Sequence, residues 1–376
     1  MDSPPDPFLV RLLFAATHGD HDAALGLRRG AAAGVLRRVH RGVYVEEETW
    51  SRLDARGRHV IRVRAVTAGL SAECVVSHRS ASVLHDMPRV RLEVPARVDV
   101  IDPRRTTTKT SAHLLRRPGR LDPSDQVVVQ GMPVTTAART VIDLARCAPF
   151  ADAVLCLDAF LRRELLPEGH RDGAAVDEAL ADQKRALMAA AEARSTRGSL
   201  RAARAIDFAS PWAENGGESL MRIALHELGA GPVELQRSFS SGGVFVGRCD
   251  SFLTDWDVAV ELDGLVKYHD PVMLAGRTAA VVVRDQNRRD RRLLQLPEIA
   301  GVVHCDYGDV TAPQRLASLL QDAGVRLDPR RVRSATAAAR LRFDAPPPHP
   351  VPFDEPRYEG VRRTERGAER RTAAAG

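Results

Sequence analysis

Between Glu218 and Leu262 one helix-length run gives way to three strand-length runs, and each of the three carries a single acid. Leu220, Met221, Ala224, Leu225 and Leu228 recur at helical spacing, so they line one side of an amphipathic helix over 218–228. Gly229 and Pro232 follow at once; glycine accepts the left-handed conformation that ends a helix, and proline cannot continue one. The next runs predict strands over 233–239, 244–253 and 258–262, with turns at 240–243 and 254–257. A helix over 284–296, a strand over 299–304 and a closing helix to about Asp322 complete an α-β-β-β-α-β order within 212–323.

Strand side chains alternate between faces. Val258, Val260 and Leu262 therefore share one face, and Ala259, Glu261 and Asp263 the other. The turn at 254–257 folds the second strand onto the third and brings Asp250 toward Glu261, while Glu218 approaches from the preceding helix. Carboxylates converging on one sheet edge suit a hard divalent ion such as Mg²⁺, which takes oxygen ligands and keeps waters for reaction. A plainer account exists for Asp263, because Asp263-Gly264 is a common turn pair.

The stretch GGESLMRIALHELG, followed by VGRCDSFLTDWDVAVELDGLVKYH and DQNRRDRRLLQL, resembles the very-short-patch-repair endonuclease-like domains of the PD-(D/E)XK class. The resemblance covers about 110 residues. It implies a restriction-endonuclease-like fold, metal ligands at Asp250 and Glu261 with Glu218 supporting, and Asp263 in the E-x-D-G motif. The wider class carries a lysine where this chain has Asp263; Lys267 or His269 replaces it in orienting water if the domain cuts.

Residues 7–46 predict a compact basic unit. Apolar spacing over 8–16, a short helix from Asp20 to Leu25, a break at Gly26 and a third helix over 27–33 precede strands over 35–39 and 43–45 around His40-Arg41-Gly42. Three helices followed by a hairpin is the winged helix-turn-helix order. Arg28 and Arg29 then start the helix that enters the major groove, and Arg37, Arg38 and Arg41 lie on the wing, where they hold phosphates of double-stranded DNA.

Residues 55–205 predict an α/β middle domain, with strands such as 98–101 and 126–129 and helices over 136–145, 151–165 and 176–207. His78 and His85 read as capping or packing residues, and Asp143 as a solvated helix acid. GVLRRVHRGVYV, SHRSASVLHDMP and GMPVTTAARTVIDLAR resemble AbiEi-family antitoxins over roughly 8–165. That resemblance implies transcriptional autoregulation in a toxin–antitoxin or phage-defence operon. Residues 327–376 lose apolar periodicity and predict a disordered tail.

The overall expectation is an α/β (α+β) multi-domain protein. Its net charge of +6 among 376 residues favours a polyanionic partner. Five cysteines without a C-x-x-C pair and the opening Met-Asp-Ser-Pro-Pro point to reduced thiols and a cytoplasmic location rather than secretion. No apolar run reaches membrane-spanning length. The absence of G-x-x-x-x-G-K-[ST], G-x-S-x-G and H-E-x-x-H speaks against nucleotide hydrolysis, serine hydrolysis and zinc proteolysis. Two functions remain: a Mg²⁺-dependent DNA endonuclease guided by its own winged helix, or an antitoxin-like repressor whose nuclease fold does not cut.

Overall fold

The computed structural model describes residues 4–15, 21–90, 97–167, 173–194, 197–263 and 288–344. The fold is mixed α/β. Among the described residues no helix is long and apolar enough to cross a membrane.

The chain begins with β1 (Leu13–Phe14), α1 (His21–Ala32), β2 (Leu36–His40), β3 (Val43–Glu46), α2 (Glu47–Arg52) and α3 (Ala55–Thr67). The strands form an antiparallel sheet in the order β1-β3-β2. The hairpin expected around Arg41 is present, but the helices before it differ from expectation. Residues 8–14 are not helical: Val10, Leu12 and Phe14 pack against Val39, Val43, Val45 and Trp50, a period of two that the helical reading of this apolar run overlooked. Gly26 does not break a helix either. It sits inside α1 with open space around it, and an interior glycine costs only ~1 kcal/mol relative to alanine. The separate third helix over 27–33 is thus the second half of α1.

Next come β4 (Val75–Val76), α4 (His78–Leu84), β5 (Val98–Ile101), β6 (Lys109–Thr110), β7 (Leu114–Arg117), β8 (Gln126–Val129) and β9 (Met132–Thr135). They make one mixed sheet in the order β6-β7-β5-β4-β9-β8. Helices α5 (Ala137–Cys147), α6 (Phe150–Leu165), α7 (Gly173–Arg194) and α8 (Ser199–Phe208) follow. His78 and His85 stand at the two ends of α4, and His85 Nε2 lies 2.7 Å from the Thr135 carbonyl. Asp143 departs from expectation. It is buried, and Arg139 donates to it at 2.9 Å while also reaching Asp125 at 2.6 Å. The acid faces inward because α5 is covered on that side.

The last part contains α9 (Gly216–Leu228), β10 (Val233–Leu235), β11 (Ser238–Ser241), β12 (Val244–Arg248), β13 (Ser251–Leu253), β14 (Val258–Asp263), a helical segment at 288–293, β15 (Gly301–Asp306), α10 (Tyr307–Thr311), α11 (Pro313–Asp322) and α12 (Pro329–Phe343). Gly229 ends α9 at φ 72°, as the stop signal implied. The main sheet runs β10-β13-β14-β15, with β14 and β15 parallel. Each of the first two predicted strands divides in two: β10 and β13 join this sheet, whereas β11 and β12 pair separately.

The predicted disordered tail is corrected over its first part, where Pro329–Phe343 forms α12. Asp328 caps it by accepting from Arg330 N at 2.8 Å, and Pro329 occupies its first turn. Small buried residues, Ala335, Thr336 and Ala339, replace the large apolar stripe that periodicity looks for. Arg342 pairs with Glu227 of α9. Residues 345–376 lie outside the described residues.

One hydrophobic core runs through both halves of this region. Leu157 and Leu161 of α6 and Ile206 of α8 share it with Ile223 and Leu225 of α9, Val258 and Val260 of β14, and Leu320 of α11. Within it Arg222 donates to both oxygens of Asp158, at 2.9 and 2.7 Å. Ser219 Oγ and Ser210 N complete the carboxylate's shell, each at 2.8 Å. Burial pushes the Asp158 carboxyl upward against the pull of Arg222.

Asp158→Ala leaves the Arg222 guanidinium buried without its counter-ion and should cost about 3–5 kcal/mol in denaturant unfolding; a loss under ~1 kcal/mol would show that the pair does not hold the helices. Ending the chain after Asp328 should lower the melting temperature, since α12 covers α9; an unchanged value would contradict that docking.

Candidate functional site

The three carboxylates singled out from the sequence are brought to one region by α9, β13 and β14. In the β13–β14 ladder Ser251 faces Val260 and Phe252 faces Ala259. Extended by one pair, this register sets Asp250 opposite Glu261. The expected facing is also present: Val258, Val260 and Leu262 enter the large core, and Ala259 packs in a separate cluster with Phe239 and Leu293 on the opposite face.

Glu218 lies in the first turn of α9 and is buried at 6% exposure. Asn215 caps the helix through Gly217 N and Glu218 N, at 2.9 and 3.1 Å. Glu218 in turn accepts from Glu214 N and Asn215 Nδ2, both at 2.7 Å, and from Gln236 Nε2 at 3.1 Å. Part of its role is therefore to fasten the helix start. Burial, with Asp250 and Glu214 adding like charge, still pushes its carboxyl up to about 7.

Glu261 is equally buried, and its carboxyl is also pushed up to about 7, by burial first and the charge of Asp250 next. Arg289 approaches its Oε1 at 2.9 Å. The approach lies off the hydrogen-bonding direction, so Oε1 is buried without a directed donor. The contact is one of charge. Asp250 is half-buried, and its Oδ2 accepts from Leu262 N at 2.9 Å. Asp263 meets His304 Nδ1 at 3.2 Å, and His304 Nε2 meets Asp290 at 2.9 Å. Held between these carboxylates, the His304 imidazole is raised above its ordinary value, despite burial.

Four residues of this region escaped the sequence reading. Arg289 and Asp290 sit in a charge run that had no apparent geometry. His304 is on β15, which pairs in parallel with β14 and places it beside Glu261. Gln236 adopts φ 53° between β10 and β11. A left-handed conformation at a residue other than glycine costs on the order of 1–3 kcal/mol and clusters at functional sites. Here it turns a buried amide toward Glu218, while the amide oxygen accepts no hydrogen bond. Residue type gave no forewarning, since Gln236 is one of several polar residues in VELQRSF.

Lys267 and His269 lie outside the described residues. Among the described residues no three His, Cys, Asp or Glu side chains form a group that could hold a metal ion. The donor chemistry nonetheless suits a hard cation, which takes carboxylate oxygens and would offset the like charge that, after burial, raises Glu218 and Glu261. Asp250 and Glu261 would hold such an ion, with Glu218 in support.

Of the five arginines expected to meet DNA, Arg28 and Arg29 are exposed on α1 and Arg41 is exposed on the β2–β3 turn. Arg37 differs: its guanidinium forks onto Glu47 with two contacts of 2.8 Å, which occupies it internally. Arg38 is half-buried and donates to the His40 carbonyl. No protein-family model matches the sequence, and no characterised protein is significantly similar to it.

The folded state holds the protons of Glu218 and Glu261 more tightly than the unfolded chain does. Without metal, wild-type stability measured against a Glu218→Gln, Glu261→Gln variant, which shares the lowered histidines, should therefore fall as pH rises from about 5 to about 8. Added Mn²⁺ or Mg²⁺ should raise the melting temperature most at the alkaline end, because the ion must displace those protons. A wild-type melting temperature in EDTA that gains on that variant's as pH rises, or no response to either ion, would contradict the site.

Proposed function

We propose that the chain is a cytoplasmic DNA-binding protein whose C-terminal part is a Mg²⁺-dependent endonuclease-type domain acting on phosphodiester bonds. The observation that carries this reading is the pair of buried glutamates on adjacent elements, Glu218 and Glu261, both held near neutrality around Asp250. The resemblance to the endonuclease-like domains and the exposed basic side chains of α1 and the β2–β3 turn support it. So does an α9, β13, β14 and β15 arrangement with antiparallel strands before the parallel one, which agrees with a restriction-endonuclease-like fold.

In this reading Mg²⁺ supplies charge neutralisation of the scissile phosphate and acidification of a bound water. Asp250 and Glu261 would hold the ion, with Glu218 as a supporting carboxylate. Gln236 and Asn215 hold Glu218 in place through their amides. Arg289 keeps a guanidinium at the site, a shape that matches phosphate oxygens in pairs. Lys267 or His269 orients the attacking water, and Asp263 is kept in position by His304.

A specific observation favours a second reading, an antitoxin-like repressor that binds without cutting. Arg289 already neutralises Glu261, leaving less demand for a metal ion. The two readings part cleanly in a plasmid-nicking assay. Wild type should nick in Mg²⁺ or Mn²⁺, stop in EDTA, and stop in Asp250→Ala while DNA binding survives. Nicking that persists in EDTA or in Asp250→Ala would remove this site from the reaction. Tight binding with no nicking under either metal would leave the repressor.

A further inference from the structure

The β2–β3 turn touches the middle sheet. His40, at the end of β2, meets His113, in the turn between β6 and β7, with ring centroids 6.0 Å apart in an edge-on arrangement. Cations gather around this contact from three places in the chain: Arg38 from β2, Arg62 from α3 and Arg97 from just before β5. Arg38 donates to the His40 carbonyl and Arg97 to the Ser111 carbonyl at 2.8 Å. Both partners are neutral, so each arginine keeps its charge. Elsewhere on this sheet the basic residues are neutralised: Arg104 and Arg116 by Asp102, and Arg117 by Asp99. The contact is thus a local excess of positive charge beside the outer strand β6, whose Lys109 is also exposed.

We propose that Arg38, His40, Arg97 and His113 form one phosphate-binding strip that carries duplex DNA from the β2–β3 turn onto the edge of the middle sheet. This inference rests on the DNA-binding half of the proposed function and extends its contact surface beyond residues 7–46. Guanidinium groups anchored on backbone carbonyls are partly ordered before binding, so less side-chain entropy is lost when phosphate arrives.

The strip also carries its own pH response. His40 is held below its ordinary value by burial, then by His113 and Arg38; His113 by burial, then by Arg62, Arg38 and Arg97. Among the described residues, Arg38, Arg62 and Arg97 act on the two rings, and all three are cationic. Both imidazoles are therefore neutral around neutral pH. A phosphate bound alongside Arg38 and Arg97 offsets the surrounding charge, and each ring then takes up a proton more readily.

The test measures duplex DNA affinity of the full chain against salt at about pH 8 and about pH 5.5. Each phosphate neutralised contributes about −0.9 to the log–log slope. Wild type should show a steeper slope at the lower pH. The double variant Arg97→Gln, His113→Gln should be shallower than wild type by about 0.9 near pH 8 and by about 1.8 near pH 5.5, with its melting temperature confirming that it folds. Arg97→Lys, alone, should keep the wild-type slope. If wild type binds with strong salt dependence but the double variant matches it at both pH values, the strip is wrong and DNA binding stands. If wild type shows no salt-dependent binding at all, the DNA-binding reading fails and the strip fails with it.

Discussion

Asp158 and Arg222 meet inside the largest core, and the position of the candidate site follows from them. Asp158 on α6 holds Ser219 and Arg222, one turn apart on α9. Glu218 is the neighbour of Ser219, so the clamp that fixes the start of α9 also fixes the carboxylate that α9 contributes. An ion pair of this kind adds little net stability over an apolar pair of similar volume, because both charges are stripped of water. What it does is penalise any arrangement in which α9 slides along α6. The caps at Asn215 and Gly229 then set where the helix begins and ends.

The second constraint is electrostatic. Asp250 acts on both Glu218 of α9 and Glu261 of β14 in surroundings that disfavour charge, and the chain offsets this in two ways. Protons stay on Glu218 and Glu261 up to about neutrality, and a cation, Arg289, leans on Glu261 without a directed hydrogen bond. Acids kept for stability alone are normally given full hydrogen-bonding shells. Asp158 has such a shell and Glu261 does not. The contrast between these two buried acids is the physical reason to regard the Glu261 edge as a binding site.

Much of that edge was legible in the sequence. Alternation over 258–262 separates the core-facing residues from Glu261 and Asp263, and the stop at Gly229 is read directly from residue type. The placing of the strand runs along the chain was recoverable because each short run ends in a turn signal. The breaks at Gln236 and at Cys249-Asp250 were not, since a strand that changes partner leaves no mark in its apolar content. The N-terminal region misled for a related reason: over 8–14 a short apolar run fits periods of two and 3.6 about equally, and only packing against Val39 and Trp50 decides. Helix α12 was hidden because its buried face is alanine and threonine. The inward turn of Asp143, the fork of Arg37 onto Glu47 and the meeting of His40 with His113 depend on tertiary placement that no local pattern encodes.

The central claim is that Asp250 and Glu261, facing each other across β13 and β14, form a cation site. Direct Mn²⁺ binding to the full-length chain, followed by electron paramagnetic resonance of the free ion near pH 8, tests it without reference to DNA or catalysis. The account predicts saturable loss of the free-ion signal with wild type, competition by Mg²⁺, and much weaker loss with Asp250→Asn. Equal Mn²⁺ uptake by wild type and Asp250→Asn, or no uptake by either, would contradict it.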